Sequence, residues 1–187
     1  MITFGTAWVY ELVEQNCIVN NCHKAPSKMF RKRLLTVAEI VETYTPLLTE
    51  LLKGGRKIIF SVSPIRHLRD GFVENNISKS VLILSVARLR EIFGTAIQYF
   101  PAYEIVLDDL RDYRFYADDM IHPSNLAIEY IWEKFQSVYF DESAREKIKE
   151  ILKIRKMSAH RPLHRDTKTY EKFQAELEAA RTKKINP

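Results

Sequence analysis

The run Lys57-Ile58-Ile59-Phe60-Ser61-Val62-Ser63-Pro64 sets the architecture. Its apolar residues do not alternate with polar ones, so the strand they predict is covered on both faces, as strands of parallel sheets are. Ser63-Pro64 closes it. Upstream, Thr36 and Glu39 have the spacing of a capping box, and Val37, Ile40, Val41, Tyr44, Leu47, Leu48, Leu51 and Leu52 recur at the helical period until Gly54-Gly55, with Pro46 placed to bend the helix. Downstream, residues 65–71 read as a polar loop. A second helix is predicted from Ser78, with Val81, Leu82, Leu84, Ser85, Leu89 and Ile92 inward, then a short strand over 96–100. Ile2-Thr3-Phe4-Gly5-Thr6 reads as the end of another buried strand, Gly5 permitting a sharp turn. Residues 8–12 and 17–19 suggest a hairpin, and residues 24–33 a basic connection. Strand, helix, strand, helix, strand is the pattern of an α/β protein whose parallel sheet is covered by helices and binds ligands at the carboxyl ends of its strands. Gly5, Ser63 and the residues after Phe100 lie at that end.

The composition, 46% apolar and 28% charged, suits a globular domain of ordinary size. No run approaches the roughly 20 apolar residues of a membrane span. The first residues lack a basic segment followed by an apolar one, so the chain reads as cytoplasmic and without membrane association; no cofactor is assigned. Cys17 and Cys22 share one short segment and make no disulfide framework, which suits a reducing compartment. With His23 they suggest a metal site, but no second ligand cluster follows, so small buried or edge residues are the preferred reading and no metal is assigned.

Residues 1–140 contain 16 Lys/Arg and 16 Asp/Glu, and residues 141–187 contain 13 and 8, so the net charge of +5 belongs to the tail. Both signs mix there at helical spacing without an aromatic platform, which fits a solvated helix face better than a nucleic-acid surface. The organisation expected is a domain over 1–140 and a C-terminal helical extension over 141–187, with helices at 142–156 and 167–183. Tyr170, Phe173, Leu177 and Ala180 would form the packing stripe of the second. His160 and His164 have the spacing of a helical metal pair, but Pro162 between them breaks the helix that such a pair needs.

Chemistry concentrates in Asp118-Asp119-Met120-Ile121-His122-Pro123-Ser124. An imidazole near neutrality can take a proton from a hydroxyl and return it to a leaving group when a carboxylate fixes its tautomer. Asp119 and His122 are the candidate pair, with Asp118 the second-choice carboxylate. Pro123 disfavours helix at His122, and Ser124 suits the N-cap of a helix carrying Leu126, Ala127, Tyr130, Ile131 and Phe135. A surface ion pair is the competing reading of the same spacing. Arg66 and His67 either bind an anionic or carbonyl group at the sheet edge or serve as hydrogen-bonding loop residues.

Seven segments together resemble one family: residues 2–11, Cys22-His23-Lys24-Ala25-Pro26, Val62-Ser63-Pro64-Ile65-Arg66-His67, Ser78-Lys79-Ser80, residues 99–106, residues 110–124, and His160-Arg161-Pro162-Leu163-His164. They are similar to GSCFA domain proteins, which look like a branch of the SGNH, or GDSL-like, hydrolases. The resemblance implies a three-layer flavodoxin-like sheet and ester hydrolysis through a Ser-His-Asp triad, with His122 as general base and then acid and Asp119 orienting it. Two departures stand out. The Gly-Ser-Cys-Phe-Ala stretch that holds the presumed nucleophile does not occur, and the Gly-x-Asn oxyanion block reads Gly5-Thr6-Ala7, so only the backbone of Gly5 or Thr6 could replace its donor. Ser61, Ser63, Ser78 and Ser80 are poor substitutes, although Ser63 stands at a strand end.

The expectation is therefore the C-terminal part of a hydrolase with its N-terminal strands missing. It would be inactive alone, act on a small-molecule or glycan ester, and be open to dimerisation along the unpaired edge of residues 2–4. The alternative is a ligand- or partner-binding module of the same fold.

Overall fold

The computed structural model describes residues 1–159 together with 172, 173, 175, 177 and 178. The chain divides into two compact units, Met1–Trp132 and Glu133–Pro187. In chain order the strands are β1 (Ile2–Phe4), β2 (Trp8–Leu12), β3 (Cys17–Val19), β4 (Phe30–Leu34), β5 (Ile58–Val62) and β6 (Ile97–Phe100). The helices are α1 (Val37–Lys53), α2 (Phe72–Phe93), α3 (Ala102–Asp108), α4 (Asn125–Tyr139) and α5 (Glu142–Ala159).

β1, β5 and β6 form a parallel sheet in the order β1-β5-β6, with Ile2 opposite Phe60 and Phe60 opposite Tyr99. The unbroken apolar run at 58–62 therefore forms the central strand, with Phe60, Ser61 and Val62 fully buried, and β1 lies at an edge. Ile40 and Leu48 of α1 and Leu82, Val86 and Leu89 of α2 share a core with Phe4, Phe60 and Ile97. The rings of Phe4, Tyr44 and Phe60 meet at centroid distances of 5.0–6.1 Å, holding β1, α1 and β5 together. Burying a side chain such as Phe60 contributes about 2–3 kcal/mol. The capping box forms as its spacing predicts: the Thr36 side chain accepts from the Glu39 N–H and the Glu39 carboxylate accepts from the Thr36 N–H.

Four local expectations need correction. The basic connection over 24–33 ends in β4, which pairs antiparallel with β2 to make a second sheet, β3-β2-β4. Its basic residues disguised it as a loop. Arg31 lies directly opposite Glu11 and Arg33 beside it, and both bind that buried carboxylate, so the strand's charges are matched across the ladder. Helix α2 begins at Phe72, six residues before Ser78, after Gly71 at φ 97°. Its buried stripe is Asn75, Ser78, Lys79, Leu82, Ser85, Val86 and Leu89, at spacings of three and four, whereas Leu84 and Ile92 face solvent. Polar side chains in the stripe concealed it. The segment after Phe100, read as a loop, contains α3, whose Val106 packs with Leu110 and Ala127. Leu47 of α1 and Leu126 of α4, placed inward by periodicity, are exposed.

Among the described residues no helix is long and apolar enough to cross a membrane. α5 runs three residues beyond the helix predicted at 142–156. His160 and His164 lie outside the described residues, as does most of the segment 167–183.

Candidate active site

The carboxyl ends of β1 and β5 are joined by a buried lysine. The Lys79 ammonium donates to the carbonyls of Gly5 at 2.6 Å and Ser63 at 2.7 Å, while the Ser63 N–H donates to the Phe4 carbonyl at 2.8 Å. Desolvation lowers the Lys79 pKa from 10.5 to about 8, since burial disfavours the charged form. The neighbouring Ser78 hydroxyl lies 3.0 Å from the Thr6 hydroxyl and accepts from the Ala7 N–H at 2.7 Å. α2 thus fixes the Gly5-Thr6-Ala7 turn from beneath. The His67 ring faces Gly5, and its pKa is held below the ordinary value, first by burial and then by the Lys79 charge.

Above this base stands the lip carrying Asp119 and His122. Backbone bonds close it: Met120 N–H to the Ala117 carbonyl, Ala117 N–H to that of His122, and Ser124 N–H to that of Phe115. Met120 takes a left-handed conformation at φ 58°. Asp119 makes three contacts within the lip. One oxygen accepts from the N–H groups of Ile121 at 2.9 Å and His122 at 3.0 Å, and the other lies 2.6 Å from His122 Nδ1. These bonds, the His122 N–H foremost, bring the Asp119 pKa from 3.8 down to about 2.

The carboxylate is therefore ionised at neutral pH and can only accept, so Nδ1 carries the imidazole proton and Nε2 of the neutral ring presents a lone pair. Both side chains are about half exposed. Ser124 caps α4 as its position predicts, with its hydroxyl 3.4 Å from the Ala127 N–H.

Arg66 connects base and lip. Its N–H donates to the Ile121 carbonyl at 3.2 Å, its guanidinium donates to the Met120 carbonyl at 3.3 Å, and that guanidinium lies 3.8 Å from the centre of the Tyr116 ring. The His67 N–H is held by the side chain of Asn75, at 2.9 Å. Thr6, Arg66, His67 and Ile121 border one cavity of about 390 Å³, together with Trp8, Tyr10 and the 68–70 turn.

The candidate residues thus separate into two groups. Thr6, Arg66 and His67 meet at one cavity, with Gly5 against the His67 ring. Asp119 and His122 contact each other and join that cavity through the adjacent Ile121, without lining it themselves. Asp118 is exposed and makes no hydrogen bond among the described residues.

The serines are occupied elsewhere: Ser61 donates to the Phe100 carbonyl, Ser63 accepts from the Ile65 N–H, Ser78 holds Thr6 and Ala7, and Ser80 donates to the Asn76 carbonyl. Among the described residues, no hydroxyl is hydrogen-bonded to His122 Nε2. Sequence reading missed Lys79, Asn75 and Tyr116. The signal for the first two was their place in an apolar stripe; Tyr116 offered none. Among the described residues, no group of three metal-binding side chains gathers, and Cys17 and Cys22 are both free thiols.

Among curated proteins and solved structures, no match reaches significance. The profile of the GSCFA family matches residues 1–135, which include both sheets, the Lys79 base and the Asp119–His122 lip. The chain therefore belongs to the GSCFA family.

Proposed function

We propose that this chain supplies the His-Asp half of an SGNH-like ester hydrolase. The carrying observation is the 2.6 Å contact between Asp119 and His122 Nδ1, with no hydrogen bond at Nε2 among the described residues. In this reading Nε2 takes the proton of a serine hydroxyl as its oxygen attacks the ester carbonyl, then gives it to the departing alcohol. Asp119 steadies the imidazolium in between, and water repeats the cycle on the acyl-enzyme. Backbone N–H groups at Gly5-Thr6 are the nearest replacement for the missing oxyanion asparagine. The parallel order β1-β5-β6 agrees with the last three strands of a flavodoxin-like sheet. Among the described residues β1 lies at the edge of this sheet, where this reading expects a further strand to add.

In this reading the serine comes from the family's Gly-Ser-Cys-Phe-Ala segment, which this sequence does not contain. A fluorophosphonate probe tests this. We expect no labelling of the chain alone, labelling of a form carrying the family's Gly-Ser-Cys-Phe-Ala segment ahead of Met1, and loss of that labelling in His122→Ala. Labelling of the chain alone would refute the external serine, and labelling that survives His122→Ala would refute the role of the imidazole. The second reading, a binding module, is favoured because no hydroxyl among the described residues is hydrogen-bonded to His122. It requires a saturable ligand and no labelling in either form.

A further inference from the structure

We propose that the cavity beside the lip binds an anionic carbohydrate, a sugar bearing a carboxylate or phosphate group. Calling that sugar the alcohol part of the substrate rests on the hydrolase reading; its binding does not.

One wall is a face of the antiparallel sheet. Tyr10 stands directly across the ladder from Lys32, and Trp8 lies two residues before Tyr10 on the same strand, so all three project from one side. The indole is anchored by its N–H, which donates to the Glu74 carbonyl at 3.2 Å, and Lys32 Nζ lies 5.0 Å from its ring centre. The opposite wall is the turn after β5, with His67, Arg69 and Asp70. The volume, about 390 Å³, falls within the range of small-molecule sites.

The lining selects the ligand. Aromatic rings beside hydroxyl, imidazole and ion-pair groups offer both a flat apolar surface and hydrogen-bond partners, which suits the alternating C–H and O–H surfaces of a sugar ring better than an alkyl chain. Lys32, Arg66 and Arg69 against Asp70 leave an excess of two positive charges (3 − 1 = 2). Lys32 is paired with Asp70. Arg66 uses one of its five N–H donors on Met120, and Arg69 is exposed with no ion pair among the described residues. Arg69 and Arg66 both border this cavity, and a guanidinium recognises a carboxylate or a phosphate equally well in kind.

The test is an NMR titration of the ¹⁵N-labelled full chain with D-glucuronate, glucose 6-phosphate, D-glucose and inorganic phosphate, following the indole N–H of Trp8 assigned through Trp8→Phe. We expect at least one of the anionic sugars to shift that resonance saturably, with Kd about tenfold below those of glucose and inorganic phosphate. The preferred anionic sugar identifies the acid. Arg69→Gln, at an exposed position, removes most of that tenfold advantage while the remaining spectrum keeps its native dispersion. The proposal fails if glucose or inorganic phosphate binds as tightly as both anionic sugars, or if the shifts map away from Trp8, Tyr10 and residues 65–70. Loss of binding would leave the fluorophosphonate result unaffected, and absence of labelling would leave this titration unaffected.

Discussion

Two nitrogen side chains serve the mouth of the parallel sheet on opposite terms. Lys79 is 1% exposed and gives donors to two backbone carbonyls; His122 is exposed and gripped at one ring nitrogen, and its other nitrogen makes no hydrogen bond among the described residues. The first is committed to architecture, because removing it strips two part-buried carbonyls of their partner. The second retains a lone pair, which general-base chemistry requires. Burial makes a group consequential for stability, whereas reactivity depends on what its hydrogen bonds leave over.

The largest expected effect lies on the buried side. Lys79→Ala leaves a cavity and two orphaned carbonyls, and should lower unfolding free energy by about 3–5 kcal/mol in urea titrations. A smaller loss than for Ser78→Ala would break the contrast.

Next comes pH. The folded Lys79 pKa of about 8 lies below its ordinary 10.5, so between these values the unfolded chain binds a proton that the folded chain does not. Stability from this group should therefore rise with pH by roughly 2–3 kcal/mol between pH 8 and 10. Above that range the raised phenol pKa of Tyr99 acts in the opposite direction. The rise should be absent in Lys79→Met, and its persistence there would assign it to other groups.

Ser78→Ala removes the group that accepts from the Ala7 N–H and meets the Thr6 hydroxyl, and should cost about 1–2 kcal/mol.

On the exposed side the effect should be local. Asp119 is lowered from 3.8 to about 2, so whatever it contributes to order is present above about pH 4 and lost as pH falls through 2. Protection of the Ile121 and His122 amides, relative to the intrinsic exchange rate at each pH, should fall across that interval, and in Asp119→Ala at any pH, with the global transition nearly unmoved. A matching global shift would show that the lip and the core are one cooperative unit.

What the sequence made legible follows the same division. Local, strongly periodic or strongly capped features could be read directly: the 58–62 strand, the Thr36 box, Ser124 at the head of α4, and an Asp and His close enough in sequence to meet. Features that depend on partners distant in the chain could not. β4 looked like a basic loop because Glu11, which matches its arginines, lies 20 residues away from Arg31. The inner stripe of α2 was misplaced because Lys79 and Asn75 look like surface residues until the carbonyls of Gly5 and Ser63 and the His67 N–H are brought to them. Arg66 and His67 lie in the turn that follows β5. Their attachment to Ile121 and Gly5 needed tertiary structure, and so did the placement of Arg66 over Tyr116.

The claim on which the functional account turns is that Asp119 fixes His122 as a proton acceptor at Nε2. Long-range ¹H–¹⁵N correlation of the neutral imidazole reads this directly. The account expects the proton on Nδ1 and a bare Nε2, with Asp119→Ala moving the population toward the other tautomer. A ring already protonated at Nε2 in the unmutated chain, or a tautomer indifferent to Asp119, would contradict it.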